Sequence, residues 1–174
     1  MSRIWKPLAV GIAAVSAGAA LGTTAAHAQA TTGVQMPIAI KVGVALPTDK
    51  NFGSSSLDLG ASYDFSKTLA TNPTIYEVYA DYYGKSSDNV LGIGVAARFL
   101  QAPATVANKA YFGAGIGAYI NKVSGGSNKT NLGGKVFGGY TFTQQVFGEV
   151  DYTLSNKNNG INPSAIGLRV GYRF

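Results

Sequence analysis

From Pro37 onward, apolar residues recur at every second position in eight runs separated by turn-rich breaks. The first run, Pro37 to Leu46, sets Ile38, Ile40, Val42, Val44 and Leu46 against Ala39, Lys41, Gly43 and Ala45. The fifth, Ala110 to Ile120, sets Phe112, Ala114, Ile116, Ala118 and Ile120 against two tyrosines and three glycines. The last, Ser164 to Phe174, sets Ile166, Leu168, Val170, Tyr172 and Phe174 against Gly167, Arg169, Gly171 and Arg173. The sixth is the least regular. Each run is about ten residues long, the length that a tilted strand needs to cross a bilayer. The breaks (47–55, 66–73, 84–89, 101–108, 121–130, 143–145 and 155–163) are mostly rich in Gly, Asn, Ser, Pro and Lys, which supply turn chemistry.

Alternation alone fits a soluble barrel or sandwich as well as a membrane barrel; the distribution of charge decides between them. One face is almost purely aliphatic and aromatic in every run. The other carries Lys41, Asp58, Asp64, Glu77, Asp81, Arg98, Lys135, Glu149, Asp151, Arg169 and Arg173. These are five cations against six anions, a set that a closed interior can pair. On an up-and-down path, Phe65, Tyr76, Phe99, Tyr140, Phe142, Tyr172 and Phe174 fall at one rim of the apolar face, as an aromatic girdle at a membrane interface does. Tyr82 and Tyr152 begin a girdle at the other rim. Lipid cannot satisfy a free strand edge, so the strands must close on themselves. The expected fold is all-β: a closed, eight-stranded, antiparallel, up-and-down transmembrane β-barrel over residues 37–174, with both ends of the path on one side and an interior filled by side chains.

The N-terminus has a different character. Arg3 and Lys6 precede an apolar, alanine-rich run from Leu8 to Leu21, and Ala26-His27-Ala28 then fits an A-x-A cleavage pattern. The layout predicts a signal peptide over 1–28, with cleavage after Ala28 or else after Ala30, and a flexible lead-in over 29–36. A transmembrane helix is the alternative, and the shortness of the run weighs against it. Removing Arg3 and Lys6 takes the formal charge of +6 to +4, too mild to argue for nucleic acid. The chain has no cysteine, so disulfides do not hold the fold.

The mature segment resembles the small outer-membrane barrel superfamily, which includes the membrane domain of OmpA, the OmpX/Ail group and opacity-type proteins. The resemblance spans the whole mature chain. It rests on the segment pattern and on the closing run Ala165-Ile166-Gly167-Leu168-Arg169-Val170-Gly171-Tyr172-Arg173-Phe174. It implies an outer-membrane location after export through the periplasm. It also implies that the terminal Phe174 serves as a signal to the barrel-assembly machinery, and that the termini face the periplasm.

On that layout the interior charges form two expected groups. Asp64, Glu77 and Arg98 lie near the terminal end; Lys135, Glu149, Asp151 and Arg169 lie near mid-height, with Lys41 adjacent across the closure. They could line a gated ion path or form a packed polar interior that fixes strand register. The second is expected, because eight-stranded interiors are normally filled. The outward loops carry Lys50, Lys85, Lys122, Lys129 and Lys157 against Asp49 and Asp88. These lysines either contact the phosphates of lipopolysaccharide or are ordinary solvated residues.

No catalytic, cofactor or metal residues are assigned. The known hydrolytic designs commonly pair serine with histidine, and the only histidine, His27, lies in the leader. There is no His/Cys set and no calcium loop. Gly113-Ala114-Gly115-Ile116-Gly117 has the wrong spacing for a phosphate loop and reads as a strand. The resulting expectation is a monomeric, non-enzymatic structural barrel with a mostly plugged lumen and short basic loops toward outer-membrane lipid and lipopolysaccharide. The competing reading is a narrow porin-like channel, motivated by free volume over the glycine-rich inner faces of the fourth and fifth runs. A lipid-modifying enzyme comes third.

Overall fold

A computed structural model describes residues 36–52, 55–65, 74–85, 88–101, 109–122, 126–157 and 160–174. The expected leader, and the lead-in apart from Met36, lie outside the described residues. Eight strands form: β1 Ile38–Pro47, β2 Ser56–Asp64, β3 Thr74–Lys85, β4 Asp88–Leu100, β5 Lys109–Lys122, β6 Lys129–Thr141, β7 Val146–Ser155 and β8 Ala165–Arg173. Each pairs antiparallel with its neighbours in sequence, and β1 pairs with β8, so the sheet is a closed barrel with no free edge. The seam runs from Ala39↔Arg173 to Pro47↔Ala165 and is tied at the terminal end by Phe174 N–H donating to the Ile38 carbonyl at 2.8 Å.

The two-residue side-chain period settles which face each residue takes. Val42, Val95, Val150 and Val170 point outward and are about half exposed, whereas Lys41, Asp58 and Glu77 are at most 1% exposed. A water-soluble barrel would show the reverse. The sixth run, irregular in sequence, is a full strand of 13 residues, its gaps filled by outward Gly134 and Gly138 among Leu132, Val136 and Tyr140.

Strands β3 to β6 are 12 to 14 residues long, longer than the hydrophobic runs. Their added tips are polar: Lys85 pairs in register with Asp88, Asn89 with Lys122, and Asn121 with Lys129. Backbone pairing continues past the point where the apolar face ends, so hydrophobicity marks the membrane span and not the strand length. The hairpin after β6 is tight, with Thr143 Oγ1 accepting from the amides of Gln145 and Val146 at 3.2 and 2.9 Å.

Inside, two apolar clusters lie toward opposite ends. Ile75, Tyr79, Ala96, Leu100, Tyr111, Phe137 and Phe147 pack with Ala39 toward the terminal end. Phe52, from a 3-10 turn at Lys50–Phe52, packs with Ala45, Tyr83, Val90, Tyr119 and Ala165 toward the loop end, with Ile161 against them.

Candidate functional site

Beside the two clusters the inward positions of β1, β2, β3, β6, β7 and β8 bring charges together. Arg169 donates from Nε to Asp58 at 2.8 Å and from Nη1 to Asp81 at 2.6 Å, and its Nε is 3.0 Å from Asp151. Asp81 also accepts from Lys135 Nζ at 2.8 Å. Lys41 Nζ donates to Glu149 at 2.7 Å, and the other oxygen of Glu149 accepts from the Tyr111 hydroxyl at 3.0 Å. Charge-assisted bonds of this kind are the strong class, and buried carboxylates need them. The expected mid-height group therefore assembles around Lys41, Lys135, Glu149, Asp151 and Arg169, and the structure joins Asp58 and Asp81 to it.

The second expected group also assembles. Arg98 donates from Nη1 to Glu77 at 3.0 Å and from Nη2 to Asp64. Arg173, the remaining cation of the expected network, takes another position: its guanidinium carbon stands 4.3 Å from the centroid of the Phe147 ring. Lys109 is an addition. Sequence periodicity starts the fifth strand at Ala110, but the strand begins one residue earlier, so Lys109 falls on the inward parity and is buried. Among the described residues the interior then holds six cations against six anions.

The glycines of β4 and β5 do not leave the free volume expected of them. A Cβ on Gly92 would lie 2.6 Å from the Tyr119 ring, one on Gly94 2.6 Å from the Tyr79 hydroxyl, and one on Gly113 would run into Phe137. These glycines are shelves on which aromatic rings lie, and Tyr79 and Tyr119 meet hydroxyl to hydroxyl at 2.9 Å. Lys135 Nζ sits 4.4 Å above the Tyr79 ring. The inward aromatics were visible by parity, but which glycine each ring lies on is set by the pairing register, which places Tyr119 opposite Gly92, Tyr79 opposite Gly94 and Phe137 opposite Gly113 and which period two does not encode.

The expected girdle residues all lie at the terminal rim of the outer face. Phe65 stacks with Tyr76, Phe99 with Phe112, Tyr140 packs on Phe142, and Tyr172 meets Phe174 edge-on at 4.9 Å between centroids. At the loop end, Lys50, Lys85, Lys122, Lys129 and Lys157 are exposed. Asp49 is not a free counter-charge to them. Its two oxygens accept from the amides of Asn51 and Asn162, both at 2.9 Å, and these bonds hold its carboxyl below the usual 3.8. Together with Thr48 N–H donating to the Ser164 carbonyl at 2.8 Å, Asp49 latches the β1–β2 loop to the β7–β8 loop, which the Tyr83 hydroxyl ties to β3 by donating to the Pro163 carbonyl at 2.7 Å.

No protein-family model matches the sequence, and no curated protein matches it. Solved structures do share the fold. The crystal structure of Neisserial surface protein A is 20% identical, with a TM-score of 0.61 over 78% of this chain and 94% of that one. The outer-membrane enzyme PagL is 15% identical, with a TM-score of 0.55 over 78% and 98%. The N-terminal β-barrel domain of Pseudomonas aeruginosa OprF is 14% identical, with a TM-score of 0.52 over 80% and 98%. The chain therefore has the fold of the small eight-stranded outer-membrane barrels.

Proposed function

We propose that this chain is a structural barrel of the bacterial outer membrane whose interior is closed to the passage of solutes, and whose basic loop end lies against lipopolysaccharide. The membrane location is supported by the outer wall, where apolar side chains stand half exposed and can be satisfied only by hydrocarbon. The observation that carries the closed interior is its filling: a paired charge network beside two apolar clusters that meet at Tyr79 and Tyr119, with aromatic rings lying on the glycines that could otherwise have left a passage. The lipopolysaccharide contact rests on the exposed loop lysines. Phe174, bonded to β1, is proposed as the mark by which the barrel-assembly machinery recognises the chain, which then acts as a monomer.

The competing reading is a narrow channel, and conductance across a planar lipid bilayer tests both. With insertion confirmed independently, a silent membrane is expected. Reproducible steps that change when Arg98 or Glu149 is replaced would replace the closed barrel with the channel. Catalysis is not part of the proposal: PagL is an enzyme, but at 15% identity the likeness carries the fold alone.

A further inference from the structure

We propose that the mouth of the barrel at the terminal end binds an oxyanion of the phosphate class on Arg173. Every other cation of the expected interior network has a carboxylate partner. Arg173 has none within ion-pair distance among the described residues, and its Nε and Nη2 are buried without a hydrogen-bond partner. A guanidinium is desolvated at such a cost that an anion or ordered water is expected against it.

The surroundings favour an anion. The guanidinium carbon stands 4.3 Å from the centroid of the Phe147 ring and 5.8 Å from that of Tyr111, so aromatic rings and not carboxylates are its near neighbours. Gly171 makes that position possible, since a Cβ there would occupy the space of the Phe147 ring. Lys109 lies on the inner face at the same end. The carboxylates at this end, Asp64 and Glu77, are both engaged by Arg98. Arg173 therefore offers a planar fork with no carboxylate against it, which matches tetrahedral oxyanions. Free phosphate and the phosphate of a lipid headgroup share that chemistry.

The test uses the full chain refolded in dodecyl maltoside micelles, with folding checked by heat-dependent gel mobility. In one arm inorganic phosphate is titrated and followed by phosphorus NMR; in the other, short-chain phosphatidic acid is the probe. Saturable binding by the wild type is expected, weakened about tenfold or more in Arg173→Gln. Arg173→Lys, which keeps the charge and loses the fork, should fall between them and serves if the glutamine variant does not fold. Tighter binding of phosphatidic acid identifies a headgroup as the source; equal or tighter binding of inorganic phosphate identifies the free anion. Absence of binding in both arms means that water alone solvates Arg173, and overturns the proposal. So does binding that is unchanged in the Arg173 variants.

Discussion

Arg169 holds Asp58, Asp81 and Asp151 at once, and all four side chains are almost completely buried. Removing the guanidinium strands Asp58 and Asp151 without a cation and leaves Asp81 on Lys135 alone. Arg169→Gln is therefore expected to cost about 3–5 kcal/mol in urea unfolding from lipid vesicles. A loss below about 1 kcal/mol would show that water already screens these charges, and would count against a closed interior. Asp49 behaves differently because its partners are backbone amides at the surface. Its folded pKa is depressed, so the stabilisation it gives the latch is fully present above its unfolded value near 3.8 and is lost as pH falls through the lower folded value. At neutral pH the Asn162 amide should be protected from hydrogen exchange; Asp49→Ala should expose it, while the wild type should lose that protection only in strong acid. An Asn162 amide that exchanges equally fast in both proteins at neutral pH would remove Asp49 from the latch.

On a strand, neighbouring positions meet opposite solvents, and β4 makes this measurable within two residues. Val95→Arg places a charge on the outer wall opposite Val78 and Ile116 and should destabilise the barrel by about 2–4 kcal/mol in a bilayer. Gly94→Ala faces inward, where the new methyl meets Tyr79 and the Ile116 carbonyl, and should cost about 1–3 kcal/mol by overpacking in bilayer and detergent alike. If Val95→Arg is as stable as the wild type in vesicles, the faces are assigned the wrong way round. Parity made this assignment legible in sequence, because every alternation from Ile38 to Phe174 carries the same sign. The second charge group was legible for the same reason, since Asp64, Glu77 and Arg98 fall at one height on consecutive strands. The reach of Arg169 across to β3 was not, because Asp81 is linked to it by side-chain length across the lumen and not by strand adjacency. Nor was the latch, since Asp49 and Asn162 lie 113 residues apart in loops that carry no periodicity.

Across the whole barrel the two apolar clusters meet where Tyr79 and Tyr119 join hydroxyl to hydroxyl, and the charge network lies beside that contact, with Lys135 against the Tyr79 ring. On the proposed closed interior, each of these groups fills the lumen where another is cut away, so removing one alone leaves the path blocked. Truncating the loop-end cluster with Phe52→Ala and Tyr83→Ala should therefore cost stability, about 3–5 kcal/mol for the buried phenylalanine, without producing conductance. Truncating the terminal-end cluster with Tyr111→Ala and Phe147→Ala should also leave the bilayer silent, although it removes the bond from Tyr111 to Glu149 and the ring beside Arg173. Conductance is expected only when both apolar clusters are cut and Arg169 is replaced as well, in a protein that still migrates as a folded barrel. Steps from either double variant alone would place the whole barrier in a single cluster, and the remaining charges would then have to be read as the lining of a path.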